Sequence, residues 1–208
     1  MKIKKYSIAG INHSNEDRFK DMNLGIYGRA LSVSDGMGGK SCGDIAAEVV
    51  SEEIVNYIFN NYQGYYEKKY LFEALNRADT VLAEKIESYK MPMGAVVVAA
   101  IILGSKIFYS WQGNVRLYIL HNDKLQCLTQ DHVLDTGYGE KRLTRCIKGC
   151  GIRQDIPFLE RKLNQGDIVY ICTDGFYNQY EELLYQNDFD KIIKAMQQPH
   201  DDATIIKI

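Results

Sequence analysis

The chain has 208 residues, 46% hydrophobic and 25% charged, with 17 Gly and only 3 Pro. That excludes a disordered or collagen-like chain and allows one large folded unit. A formal net charge of −2, from 25 basic and 27 acidic residues, argues against sequence-independent nucleic-acid binding.

In chain order, residues 2–8 read as a first strand. Residues 27–34 read as a strand ending on the turn signal Asp35-Gly36. Cys42, Ile45, Ala46, Val49 and Val50, with Ile54 and Ile58 beyond, fall at helical spacing and predict a helix over 42–59. Leu71, Leu75, Ala78, Leu82 and Ile86 mark a second helix. Residues 96–102 are β-branched and apolar on both faces, the texture of a buried central strand. Residues 106–112, 115–121 and 124–128 follow as a meander, with turns at Gly104-Ser105, Gly113-Asn114 and Asn122-Asp123. Residues 158–163 and 167–173 read as a strand pair, 181–196 as a helix and 203–208 as a last strand. Short turns mean antiparallel pairing. Helices set apart from such strands give an α+β fold, with two packed sheets flanked by helices as one solution. No repeat or linker interrupts residues 1–208, so a single domain is expected.

No run of 18 apolar residues is present, and Met1-Lys2-Ile3-Lys4-Lys5 has no apolar core behind it. A transmembrane helix and a signal peptide are therefore not expected. Cys42, Cys127, Cys146, Cys150 and Cys172 are scattered and form no Cys-x-x-Cys pair. Reduced thiols in a cytoplasmic protein are the expectation.

The chemistry lies in carboxylates at strand ends. Asp35 and Asp174 each follow an apolar strand and a Ser or Thr, and each precedes Gly. Asp201 and Asp202 stand before the last strand, and Glu16 and Asp17 follow the first. A single Asp in such a place is ordinarily a turn former. Several together, without His or Cys clusters, form a hard oxygen donor set suited to magnesium or manganese rather than zinc. Gly36, directly after Asp35, would let its own carbonyl approach an ion. Gly39-Lys40-Ser41 imitates the end of a phosphate-binding P-loop, but the required earlier Gly is Ser34. No His-Glu-x-x-His or Gly-x-Gly-x-x-Gly is present.

Eight segments in order resemble one family. They are Asn15-Glu16-Asp17-Arg18, Val33-Ser34-Asp35-Gly36-Met37-Gly38-Gly39, Met93-Gly94-Ala95, Gly113-Asn114-Val115-Arg116, Leu128-Thr129-Gln130-Asp131-His132, Leu143-Thr144-Arg145, Gly166-Asp167 with Cys172-Thr173-Asp174-Gly175, and Asp201-Asp202-Ala203-Thr204. They resemble the metal-dependent protein phosphatases, the type 2C serine/threonine phosphatases, in their bacterial form. The resemblance implies a four-layer αββα sandwich with two Mn2+ or Mg2+ ions at one edge. It implies Asp35 bridging both ions, the Gly36 carbonyl and Glu16 (through water) on one, and Asp174 and Asp201 on the other. A water or hydroxide between the ions would attack phosphorus in line. Asp35, Asp174 and Arg18 are the catalytic candidates. The implied substrate is a phosphoserine or phosphothreonine protein, in opposition to a serine/threonine kinase. The implied protein is a cytoplasmic monomer in signalling, binding neither nucleic acid nor membrane.

Three departures stand out. The family's phosphate-gripping Arg falls on Asn12, which leaves Arg18 as a possible substitute. The aspartates of the third metal site of bacterial relatives fall on Asn114 and Asn178, so that site is expected to be absent or weak. The flap between His132 and Thr144 is 11 residues long, and is expected to be cut to a turn over 135–139. His132 and Arg116 are expected to be structural. A pseudophosphatase that binds a phosphorylated partner without turnover, and a hydrolase of small phosphate esters, are the alternatives.

Overall fold

The computed structural model describes residues 2–11, 14–37, 42–137, 141–153 and 155–208. The strands in chain order are β1 (Lys4–Ile8), β2 (Asp17–Asn23), β3 (Arg29–Met37), β4 (Gly94–Leu103), β5 (Lys106–Gln112), β6 (Arg116–His121), β7 (Lys124–Cys127), β8 (Val133–Asp135), β9 (Lys141–Leu143), β10 (Phe158–Lys162), β11 (Ile168–Cys172) and β12 (Ala203–Lys207). The helices are α1 (Gly43–Asn61), α2 (Glu67–Tyr89), α3 (Asp174–Tyr180) and α4 (Phe189–Ala195). One sheet runs β1-β12-β11-β6-β7, the other β10-β5-β4-β3-β2, and β8 pairs with β9 in a two-stranded hairpin.

The layers follow from the two-residue period of a strand. In β4, Val97, Ala99 and Ile101 pack against Ala46, Val50, Ile54, Leu71 and Leu75 of α1 and α2. Their neighbours Val96, Val98 and Ala100 face the other sheet, meeting Leu117, Ile119, Val169, Ile171 and Ile206. The far face of that second sheet, with Tyr118, Tyr170, Cys172 and Ile205, is covered by Phe176, Leu184, Phe189 and Ile192. The result is helices, sheet, sheet, helices, the αββα arrangement that was expected. β4 lies at the centre of its sheet with every residue but Leu103 buried.

Several elements differ from the sequence reading. β2 was not anticipated: its residues, Asp-Arg-Phe-Lys-Asp-Met-Asn, carry charge on both faces because it is an edge strand. β3 does not stop before Asp35 but continues to Met37, with Asp35 paired to Asp17 and Val96. The meander is divided between sheets at Gly113, which has φ +99°; a Cβ there would lie 2.1 Å from Val96 Cγ1. β10 and β11 are not partners either, since β10 adds to β5 and β11 lies between β6 and β12. The helix expected over 181–196 is broken: a 3-10 turn (Glu181–Gln186) ends on Asn187 in the left-handed region, and Asp188 restarts the chain by capping α4. The short flap is the hairpin β8–β9; of the turn expected over 135–139, Asp135 is the last residue of β8, and residues 138 and 139 lie outside the described residues. Asn12, His13 and the segment Gly38 to Ser41 also lie outside them. Among the described residues, no helix is long and apolar enough to cross a membrane.

Candidate active site

Asp17 and Asp35 are direct cross-strand partners on β2 and β3. They share the row of Val96, which faces the space between the sheets. Two like charges opposite each other in a sheet repel. Asp17 is 3% exposed, and burial pushes its carboxyl well above the ordinary aspartate range, with Asp202 and Asp174 adding repulsion. Burial also pushes Asp35 well up, and the charges of Asp17, Asp174 and Asp201 add to it. Asp17 reaches across to the other sheet. Its Oδ2 accepts a 2.7 Å bond from Thr173 Oγ1, which in turn accepts from Thr204 N at 2.9 Å. Thr173 is the N-cap residue of α3, yet its hydroxyl makes no capping bond. Asp17 Oδ1 is buried without a hydrogen-bond partner.

Asp174 is the first residue of α3. Burial raises its carboxyl, and the charge of Asp201 raises it further. Asn114 Nδ2 holds Asp174 Oδ2 at 2.9 Å, so one of the asparagines at the expected third-metal positions is a hydrogen-bond donor to the carboxylate cluster. The other, Asn178, is exposed. Gly175 explains how α3 starts so close to Asp201: a Cβ there would lie 2.1 Å from the Asp202 carbonyl oxygen. Asp202 is a clamp, accepting from Gly10 N at 2.7 Å and from Glu16 N at 2.6 Å.

Glu16 and Gly36 meet through the backbone, where Gly36 N donates to Glu16 O at 3.2 Å. Two glycines permit the packing. A Cβ on Gly36 would lie 2.0 Å from Gly43 O, and one on Gly43 would lie 2.3 Å from Glu16 Oε2. The Glu16 carboxylate therefore rests on the first residue of α1. Arg18 does not join the carboxylates. It pairs with Ser34 on the alternate register, and its Nη1 donates to Asn15 O at 2.7 Å and Asp17 O at 2.9 Å. Its Nη2 is 3.8 Å from Asp44. Arg116 makes a two-pronged pair with Asp131 at 3.0 and 2.8 Å. His132 Nδ1 accepts from Gly113 N at 3.1 Å, and burial lowers its pKa.

The sequence reading of Asp35, Asp174 and Asp201 as a group thus describes residues that act on one another here. It names Asp17 and Asp202 among the strand-end carboxylates without assigning them a ligand role, and it does not include Thr173. The signal for Asp17 was register, because a strand starting at residue 17 antiparallel to β3 sets it opposite Asp35. Among the described residues, no three His, Cys, Asp or Glu side chains form a closed ion-binding group. The donor set nevertheless fits a divalent ion. Its donors are all oxygen, its buried aspartates push one another's pKa up, and Asp17 keeps an unpartnered buried oxygen. A cation reverses each of these penalties. The junction after β3 also spells Gly39-Lys40-Ser41-Cys42-Gly43, a hydrolase-elbow spacing, but its Ser41 lies outside the described residues.

A family profile described as Protein phosphatase 2C matches residues 9–207. "Serine/threonine phosphatase stp" of Listeria innocua is 26% identical, the match covering 89% of this chain and 79% of the relative. The crystal structure of the Mycobacterium tuberculosis serine/threonine phosphatase PstP/Ppp is similar with a TM-score of 0.83 at 19% identity, covering 99% of this chain and 97% of that one. The catalytic domain of PstP in complex with 2 manganese ions gives a TM-score of 0.82 at 20% identity, covering 99% and 96%. These two structures show likeness of fold, and the profile spans nearly the whole chain: it belongs to the protein phosphatase 2C family.

Proposed function

We propose that the chain is a metal-dependent serine/threonine protein phosphatase, hydrolysing phosphoserine and phosphothreonine with two Mn2+ or Mg2+ ions. The observation that carries this reading is the convergence of carboxylates from both sheets on Asp35, whose pKa is raised by burial and raised further by its neighbours Asp17, Asp174 and Asp201. Membership of the family supports it, as do the relative's printed activity and the manganese in the PstP structure. The ligands we assign are Glu16, Asp35, the Gly36 carbonyl, Asp174 and Asp201. When bound, the ions supply charge neutralisation at phosphorus and a water acidic enough to attack at neutral pH.

The chain's own residues have defined tasks in this reading. Burial raises the pKa of Asp35 and Asp174, and an ion favours their charged forms, so occupancy would weaken as pH falls. Asn114 orients Asp174, and Thr173 orients Asp17. Arg18, tied to the carbonyls of Asn15 and Asp17, is a positioning residue for the Glu16–Asp17 segment. Cys172 is fully buried and burial pushes its thiol well up, so it does not serve as a nucleophile.

We further infer one catalytic domain over 1–208 with a shortened flap and two ions rather than three, since Asn114 and Asn178 carry no charge. A cytoplasmic monomer in signalling, reversing a serine/threonine kinase and touching neither membrane nor nucleic acid, is the setting this activity fits. The test is release of inorganic phosphate from phosphoserine and phosphothreonine peptides, with manganese and with chelator. Manganese-dependent release supports the reading. A rate at least a hundredfold higher on small phosphate esters than on every peptide would transfer the assignment to a metabolite.

A further inference from the structure

We propose a second anion-binding subsite beside the carboxylate cluster, which takes a carboxylate or phosphoryl group on a residue flanking the phosphorylated one. The proposal rests on the phosphatase reading and specifies its substrate class. A cavity of about 260 Å3 lies beyond the C-terminal end of β5, lined by Gln112, Arg145, Lys148 and Arg153 among others. Gln112 is 4% exposed, and its amide nitrogen is buried with no hydrogen-bond partner. A buried donor left unsatisfied is costly, and an anion's oxygen would satisfy it.

The charge around the cavity is unbalanced. Asp155 serves two guanidiniums, Arg145 at 3.0 Å and Arg153 at 2.9 Å. The Lys148 side chain has no ion pair among the described residues. The other nearby carboxylate, Asp79, is already taken by the backbone N–H groups of Lys148, Gly149 and Gly151. Three cations thus stand against two carboxylates, Asp155 shared by two guanidiniums and Asp79 held by backbone amides, which leaves one positive charge in excess. Guanidinium, ammonium and amide donors converging on a space of this size suit a tetrahedral or planar oxyanion.

Topology brings the cavity to the reaction. β3, β4 and β5 are antiparallel neighbours, so the ends carrying Asp35, Gly94 and Gln112 lie at one edge of the sheet. Gln112 pairs with Val97, on the helix-facing side, whereas Asp35 pairs with Val96, on the side facing the other sheet. Two residues after Gln112, Asn114 holds Asp174. A peptide rounding this edge would set its phosphorylated residue at the carboxylates and a neighbouring anionic side chain in the cavity. One extended residue advances the chain about 3.3 Å.

The experiment compares kcat/KM, with manganese, for phosphoserine peptides flanked by alanine and for peptides carrying one Glu or one further phosphoserine at each of four positions on either side. Wild type, Lys148→Ala and Arg153→Ala are measured, with p-nitrophenyl phosphate as the substrate that has no second anion. The expected result is a gain of about fivefold or more at one register, most of it lost in both variants, with the p-nitrophenyl phosphate rate unchanged. The Glu and phosphoserine arms identify which anion is preferred. No gain at any register, or a gain that survives both substitutions, overturns the subsite. If p-nitrophenyl phosphate and all peptides stay intact, it is the phosphatase reading that fails. The subsite is then read by titrating inorganic phosphate and N-acetylglutamate against the Gln112 side-chain amide resonance. A saturable shift abolished by Lys148→Ala sustains it, and no shift removes it.

Discussion

Asp79 is 5% exposed on α2, yet it makes no ion pair with a side chain among the described residues. Its Oδ1 accepts from Gly149 N at 2.8 Å and Lys148 N at 3.3 Å, and its Oδ2 accepts from Gly151 N at 2.6 Å. Those three amides fold the 148–151 loop onto α2, where a Cβ on Gly149 would lie 2.8 Å from Ala83 Cα. Asp79→Ala removes two short hydrogen bonds to a charged acceptor, at about 1.5–3 kcal/mol each, and one long bond of little worth. Of the three donors, Lys148 and Gly151 are exposed and Gly149 is half-buried, so two of the freed amides can turn to water. That limits the net loss to about 2–4 kcal/mol. Asp79→Asn keeps the Oδ1 acceptor but sets an N–H against Gly151 N–H, and should cost about 1–2 kcal/mol. Urea unfolding gives both numbers, and hydrogen exchange at Gly149 and Gly151 should accelerate in step. A loss under about 0.5 kcal/mol for Asp79→Ala would refute the assignment of this carboxylate as the loop's anchor.

The remaining predictions concern the carboxylate edge. Asp17 is raised when folded, so the folded state binds its proton more tightly than the unfolded chain does. That contribution is fully present below the unfolded value of about 3.9 and is lost as pH rises toward the raised folded value. In chelator, Asp17→Asn should therefore gain stability relative to wild type as pH is raised from 4 to neutrality, and a flat or opposite trend in urea midpoints would be contrary to this. Gly36→Ala drives a Cβ to within 2.0 Å of Gly43 O, backbone against backbone. It should cost about 2–4 kcal/mol and abolish manganese-dependent turnover; a wild-type melting temperature would count against the close packing. Asn114→Asp replaces a donor to Asp174 by a like charge. The melting temperature should fall in chelator, and the rise on adding manganese should exceed that of wild type; an unchanged melting temperature in chelator would mean that Asn114 and Asp174 are not coupled.

How much of this was legible depended on whether a residue's signal is local. The run at residues 96–102 could only be a strand buried on both faces, and β4 is that strand. The spacing of Leu71, Leu75, Ala78 and Leu82 fixed the buried face of α2 in the same way. β2 was not legible, because an edge strand with Asp, Arg, Lys and Asp has no apolar alternation to read. The division of the meander between sheets was also hidden. A Gly-Asn turn looks the same whether the next strand pairs back or crosses over, and here the close approach of Gly113 to Val96 decides it. In residues 181–196 the apolar spacing continued through Asn187, but its left-handed backbone ended the helix. Asp35 and Asp174 were visible as strand-Asp-Gly repeats. Asp17 was visible only as a carboxylate at a strand end; its place opposite Asp35 depends on a pairing partner 18 residues away in sequence. Gln112 gave no signal at all, as its isolation is a property of the packed interior.

The central question is whether the aspartate edge binds the ions that drive hydrolysis. The direct measurement is phosphate release from a phosphopeptide as manganese is raised, for wild type and Asp174→Asn, with bound manganese counted in the same samples. The expected result is a saturable rate in wild type, about two ions bound, and loss of both rate and at least one ion in the variant. Full manganese occupancy without turnover in wild type, or an unchanged rate in Asp174→Asn, would contradict it.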